Sequence, residues 1–145
     1  LSDSTEEQTI FNCVNSCLLR IHQSGHMGVL TEDKKAIVKE ELEYYKNFRQ
    51  EIPHSLPFWS LGLASDGDDW MALGLKGGKK NRLAVWHIKG DKTCFLPLKE
   101  FQGQDLTVTV AFPKADKKCK LVWDKENGAL EVNLPEDGMV RILEF

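Results

Sequence analysis

The spacing of apolar residues along the chain changes near Pro53 and Pro57. Before this point apolar residues recur every three or four positions, which is the period of a helix that buries one face. After it they alternate with polar residues, which is the period of a half-buried strand. The pattern therefore predicts an α+β fold, in which two N-terminal helices in residues 1–55 precede an antiparallel β-sandwich in residues 56–145.

The first predicted helix covers residues 4–20, and Ser4 with Glu7 has the spacing of a capping box at its start. Its buried face is expected to carry Ile10, Val14, Leu18 and Ile21. The second predicted helix begins at Thr31 and ends before Pro53, because the residue that precedes a proline is pushed out of helical geometry. Its buried face is expected to carry Val38, Leu42, Tyr45 and Ile52. A short extended segment between the two gives the helix, strand, helix order of an α/β repeat.

Eight short strands are predicted after the helices. They cover residues 58–63, 70–75, 82–88, 94–98, 106–112, 119–123, 130–134 and 139–145. Asn127-Gly128 is a strong hairpin signal, and short strands at this spacing are typical of an antiparallel sandwich. The strand at 82–88 is apolar on both faces from Leu83 to Trp86. It is therefore predicted to be central in its sheet or covered by the helices.

Charge and composition narrow the classes of function. The chain has 19 basic and 22 acidic residues, interspersed, and a net charge of −3, which argues against a nucleic-acid partner. No apolar run approaches the length of a membrane span, and no basic-then-apolar leader opens the chain. The four cysteines lack a tight spacing pattern and are expected to be reduced. These features predict a cytoplasmic chain that binds neither membrane nor nucleic acid.

A set of short motifs is spread over most of the chain. They are TIFN at 9–12, RIHQSGH at 20–26, LT at 30–31, YYKNFR at 44–49, IPHSLPFWSLGL at 52–63, DDWMALGL at 68–75 and GALEVNLP at 128–135. Together they resemble the C-terminal region of α-galactosidase-like glycoside hydrolases, the melibiase group of family 36 and its relatives.

The resemblance implies a parent enzyme in which a (β/α)8 barrel ends in a helix with a Tyr-Lys-x-x-Arg stretch and an antiparallel β-domain follows. Residues 5–20 would be the seventh barrel helix, about 21–27 the eighth strand and 31–52 the eighth helix. The family hydrolyses glycosides with retention through two aspartates on earlier barrel strands, and neither position lies in this chain. The chain alone is therefore expected to lack catalytic residues and activity. Its expected partners are the catalytic barrel of the same parent chain and, through the parent, the carbohydrate substrate.

Four residues are the candidate substrate-binding group. Active sites of such barrels form at the carboxyl ends of the strands. The eighth strand would end near Gln23, Ser24, Gly25 and His26, so these residues are expected to line the sugar pocket of the complete enzyme. The alternative is that His22 and His26 are ordinary loop or core histidines.

No metal or cofactor is predicted. Cys13 and Cys17 lie one helical turn apart and His22 and His26 follow with the same step, but Gly25 intervenes and the spacing matches no compact zinc pattern. The acidic run at 66–69 lacks the glycine position and the closing acid of a calcium loop, so it is interpreted as a turn. Gly77-Gly78-Lys79-Lys80 lacks the flanking glycine spacing of a phosphate-binding loop.

Two alternatives belong to other classes of function. A stand-alone carbohydrate-binding module would expose a coplanar row of tryptophans for sugar stacking. The candidates are Trp59, Trp70, Trp86 and Trp123, although core packing is the favoured interpretation for each. A plain interaction domain is the second alternative.

The helices are also expected to need a partner outside this chain. Two amphipathic helices with one strand between them cannot close an α/β layer alone, so further barrel elements are expected upstream. Without them, the helices can pack only on each other, on the sandwich or on a second copy of the chain, and the isolated chain is expected to associate with itself.

Overall fold

The computed structural model describes residues 4–21 and 27–145 of the chain. Two α-helices come first, α1 (Glu6–Cys17) and α2 (Glu32–Phe48). Eight strands follow: β1 (Leu56–Phe58), β2 (Trp70–Lys76), β3 (Arg82–His87), β4 (Thr93–Pro97), β5 (Thr109–Phe112), β6 (Lys120–Asp124), β7 (Ala129–Asn133) and β8 (Met139–Glu144). Short 3-10 turns lie at Met27–Val29, Ile52–His54 and Lys99–Phe101. No helix within the described ranges is long and apolar enough to cross a membrane.

The strands form two antiparallel sheets. The larger has the order β1-β2-β3-β8-β5 and the smaller the order β4-β7-β6. One apolar cluster lies between the two sheets, and a second lies between the larger sheet and the helices. The predicted α+β fold with an antiparallel sandwich behind two helices is thus confirmed in outline. The helices form a third layer on the outer face of the larger sheet.

Strand β3 is buried on both faces, as its sequence predicts. Leu83 and Val85 join the cluster between the sheets, while Ala84 and Trp86 join the cluster under the helices. The side chains of the neighbouring strand β8 also alternate: Leu143 joins the cluster between the sheets, and Ile142 joins the cluster under the helices. Every residue of β3 is buried because layers cover both faces of the sheet at this point.

The start of α1 differs from the predicted capping box. Thr5, not Ser4, is the N-cap: its Oγ1 accepts a hydrogen bond from the Gln8 N–H at 3.2 Å, and Gln8 Oε1 accepts one from the Thr5 N–H at 2.8 Å. Ser4 and Thr5 are both good caps, and each is followed three residues later by an acid or its amide. The tertiary fold decides between them, because Glu7 binds an arginine in β8.

Two further boundaries were predicted wrongly. Helix α2 ends at Phe48 and does not reach the predicted end at Ile52. The chain instead forms a 3-10 segment at Ile52–His54. The buried face is accordingly rotated, and besides Val38 it carries Ile37, Glu41, Tyr44 and Phe48. The first strand ends at Phe58, so residues 59–63 are not part of it. The strands predicted from residue 70 onward are all present, although β5 begins at Thr109.

Of the packings open to the helices, the structure shows the one on the sandwich. Val14 and Leu18 of the first helical segment and Phe48 of α2 are almost fully buried, and they pack against the apolar residues of the larger sheet. The sheet therefore covers the faces that the sequence left unpartnered. The predicted extended segment between the helices falls largely on residues 22–26, outside the described ranges.

Two valines on neighbouring strands test the core between the sheets. Val132 in β7 has no exposed surface, whereas Val122 in β6 is 57% exposed. We expect Val132→Ala to lower the free energy of unfolding by about 2 kcal/mol, because it removes two buried carbons and leaves a cavity. The matched control Val122→Ala is expected to change it by less than about 0.5 kcal/mol. Urea denaturation of both variants measures the difference, and equal effects would contradict the assigned faces of the smaller sheet.

Candidate functional site

The four predicted substrate-binding residues, Gln23, Ser24, Gly25 and His26, lie outside the described residues, as does His22. The structure therefore gives no account of a sugar pocket at this point. Of the four side chains considered as a metal site, Cys13 and Cys17 lie in the described part of the chain.

Cys13 and Cys17 lie in the cluster between α1 and the larger sheet, and both face the buried Glu41 of α2. Burial, together with the nearby carboxyl group of Glu41, raises the pKa of both thiols far above the ordinary value. Burial also raises the pKa of Glu41 itself. Protonated thiols are poor metal ligands, and the described residues contain no group of three metal-ligating side chains.

The tryptophans do not form an exposed row. Trp86 is buried and its Nε1 donates to Asn15 Oδ1 of α1 at 3.0 Å. Trp70 stacks on His87 with ring centroids 4.5 Å apart, and Trp123 donates to the Gln104 carbonyl at 2.9 Å, so both are held against the sandwich. Trp59 is exposed but stands apart from them along the chain. This arrangement gives no stacking platform of the kind that a carbohydrate-binding module would need.

A buried arginine fastens α1 to the sandwich. Arg141 of β8 is 1% exposed, and its Nη1 and Nη2 donate to the two carboxylate oxygens of Glu7 at 2.8 and 2.9 Å. Its Nε donates to Asp116 Oδ1 at 2.6 Å. Lys118 Nζ lies 3.1 Å from Glu7 Oε1 and extends the network. Partial burial opposes ionisation of Glu7, but the hydrogen bonds from Arg141 hold its pKa below the usual value.

A second arginine holds the end of α2 against the sheet. Arg82 of β3 lies with its guanidinium carbon 4.3 Å from the centre of the Phe48 ring. Its Nη1 donates to Glu51 Oε2 at 2.9 Å, and its Nε lies 3.2 Å from Glu144 Oε1. Tyr44 OH donates to the same Glu144 oxygen at 3.0 Å. These contacts join α2, β3 and β8 into one polar cluster.

A cavity of about 460 Å³ opens beside this cluster, between the end of α2, the turn after β2 and strand β5. Glycines shape the turn: Gly77 has a φ of +95°, and a Cβ at Gly78 would overlap the Glu51 carboxylate. Gly77 is required by its positive φ, whereas a side chain at Gly78 would displace the Glu51 carboxylate. No sequence motif indicated this cavity, because its lining comes from four separate parts of the chain.

The two carboxylates of the cavity do not form a glycosidase pair. Glu51 and Glu144 both bind Arg82, and the hydrogen bond from Arg82 holds the pKa of Glu51 below its usual value. A general acid for glycoside cleavage needs the opposite shift, so that it is protonated at neutral pH. Glu51 is therefore not suited to be the acid of such a pair.

An exposed apolar segment lies between β1 and β2 and was not anticipated. Four large apolar side chains within eight residues are 37 to 76% exposed: Leu56, Trp59, Leu61 and Leu63. The sequence predicts a strand over residues 58–63, whereas the observed strand β1 ends at Phe58. Among the described residues, strand β1 is an edge strand that pairs with β2 on one side of its backbone.

Comparisons of the chain with protein families, with curated proteins and with solved structures find no match.

The Arg141 network gives a prediction for acid stability. A lowered folded-state pKa means that Glu7 contributes stability above the ordinary carboxyl pKa of about 4.3, and that this contribution is lost as the pH falls through the folded-state value. We therefore expect Glu7→Gln to cost about 2 kcal/mol at pH 7 and to make stability fall less steeply below about pH 5. Chemical denaturation from pH 7 to pH 3 measures both effects.

Asp105→Asn is the matched control, because the Asp105 carboxylate pairs with Lys125 at 2.8 Å in an exposed position. Its expected cost is below about 0.5 kcal/mol. If Glu7→Gln behaved like this control, Arg141 would not depend on Glu7.

Proposed function

We propose that this chain is the C-terminal region of an α-galactosidase-like glycoside hydrolase, in which the sandwich packs on the catalytic barrel and stabilises it. The resemblance of the motifs at 9–75 and 128–135 to that family supports the proposal. The structural observation that carries it is the exposed apolar segment at 56–63, which needs a cover that the described residues do not provide.

The contacts between helices and sheet suit a stabilising role. In the proposed parent, α1 and α2 are the last two helices of the barrel. Their apolar faces pack on β3 and β8, and Arg141 and Arg82 add ion pairs between the layers, so the rest of the barrel would meet the opposite faces of the helices. A barrel whose last helices are bound to the sandwich in this way would be less prone to open where its last strand pairs with its first.

The catalytic residues of the parent enzyme would lie in its barrel, outside this chain. In this family two aspartates on earlier barrel strands serve as nucleophile and acid/base. The contribution proposed for this chain is the segment Gln23, Ser24, Gly25 and His26, which would reach the sugar pocket from the end of the eighth strand. The four cysteines are all free, which supports a reducing compartment, and we expect the cytoplasm.

A stand-alone carbohydrate-binding module is the weaker alternative. Its main requirement, a row of exposed tryptophans, is not met by Trp70, Trp86 and Trp123.

Activity provides the first test. We expect the full-length parent, with its upstream residues restored, to hydrolyse p-nitrophenyl α-galactoside, and residues 1–145 alone to be inactive because the carboxylate pair is missing. Turnover by the purified chain that disappears when one of its own acidic residues is replaced would contradict the proposal. So would a full-length protein with no activity on α-galactosides.

Association of the isolated chain provides the second test. We expect residues 1–145 to form concentration-dependent oligomers through the segment at 56–63, since exposed apolar surface favours association. Leu63→Glu is expected to shift the sedimentation equilibrium towards monomer, whereas Leu19→Glu, at an exposed leucine after α1, is the matched control. A wild-type chain that stays monomeric at millimolar concentration would show that the segment needs no cover.

A further inference from the structure

The cavity between α2, the turn after β2 and β5 has the size of a small-molecule site. Its volume of about 460 Å³ lies within the usual range of about 300 to 1,000 Å³ for such sites. Its lining combines apolar surface from Val110 and Ala111 with hydrogen-bonding groups from Asn47 and Thr109. A cavity lined in this way can hold an organic molecule that has both a nonpolar face and polar groups.

The charge of the lining is positive, although the chain as a whole is negative. Four cationic side chains and two carboxylates face the cavity, an excess of two positive charges, in a chain whose net charge is −3. The cations are Lys79, Lys80, Arg82 and Lys114. Such an excess around a concave site attracts anions.

Both carboxylates of the lining already have partners. Glu51 accepts from Arg82 Nη1 at 2.9 Å and from the Lys79 backbone N–H at 3.2 Å. Glu144 accepts from Lys80 Nζ at 2.8 Å and from Tyr44 OH at 3.0 Å. Their negative charge is thus offset by Arg82 and Lys80. The remaining cations of the lining are Lys79 and Lys114.

Lys79 and Lys114 form no close ion pair, although the Glu51 carboxylate attracts Lys79. In the part of the chain that the structure describes, no carboxylate forms an ion pair with the ammonium group of either lysine. The backbone of Lys114 is held by α2, since its N–H donates to Glu40 Oε1 at 2.7 Å. The two lysines come from opposite sides, one from the turn after β2 and the other from the segment after β5.

We propose that this cavity binds the phosphate monoester of a small polyol or sugar. A phosphate monoester carries a charge of about −1.5 to −2 near pH 7, which matches the excess of two positive charges in the lining better than a single carboxylate does. Lysine is a common phosphate ligand that acts as a point charge. The side chains of Lys79 and Lys114 bind the phosphate, so the site does not need the glycine spacing of a phosphate-binding loop.

The rest of the ligand occupies the remaining space. Val110 and Ala111 provide apolar surface, and the side chains of Asn47 and Thr109 can hydrogen-bond to hydroxyl groups. The volume leaves room for such an organic group beside the phosphate. This inference does not depend on the proposed glycosidase parent, because every residue it uses lies in the described part of the chain.

Titration of the 15N-labelled chain with glucose 6-phosphate at low ionic strength tests the proposal. We expect saturable shifts of amide signals at Asn47, Lys79 and Thr109, and much weaker binding of glucose. The double variant Lys79→Gln/Lys114→Gln is expected to weaken binding about tenfold or more, because two phosphate contacts are lost.

The matched control is Lys120→Gln/Lys125→Gln, which removes the same charge from β6 and the residue that follows it. It is expected to keep the affinity within about twofold. Absence of saturable shifts, equal weakening in both double variants, or glucose binding as tight as glucose 6-phosphate would each overturn the proposal. Inorganic phosphate binding as tightly as the ester would overturn the claim that the cavity holds an organic group.

Discussion

Burial of β3 and β8 on both faces is the constraint on which the rest of the structure depends. A strand in this position needs an apolar layer on each side, so the smaller sheet and the two helices must both be present. Polar residues on these strands add a second demand. Arg141 is almost completely buried, and an unpaired guanidinium there would be costly, so Glu7 and Asp116 must be held in place. The ion pair therefore fixes where α1 can lie.

The arrangement of layers could be predicted from the sequence, but the contacts between the layers could not. The change of period near Pro57 and the apolar run in β3 were enough to predict two helices, the sandwich and a covered central strand. Glu7 and Arg141, however, are 134 positions apart, so no local pattern connects them. The same ion pair explains why the cap is Thr5 and not Ser4, because Glu7 is bound to Arg141 and does not close a capping box with Ser4. Similarly, the open face of the segment at 56–63 depends on which layers lie nearby, and alternation alone cannot reveal that.

The predicted sugar-binding group and the observed cavity also differ in whether the sequence could reveal them. The predicted sugar-binding group at 23–26 came from barrel geometry and lies outside the described residues. The cavity could not have been predicted, since α2, the turn after β2, β5 and Glu144 meet only in the folded chain. In the proposed parent the sandwich would serve two purposes. Its inner contacts would hold the last barrel helices, and the cavity at its margin would bind an anionic metabolite.

The central claim is that helices and sandwich fold as one unit through β3 and β8. Native-state hydrogen exchange of the 145-residue chain tests it most directly, because it reports the opening free energy of each element separately. The account predicts that the slowest amides of α1 and α2 exchange with the same opening free energy as those of β3 and β8. Helices that exchange through openings several kcal/mol cheaper, while both strands stay protected, would contradict it.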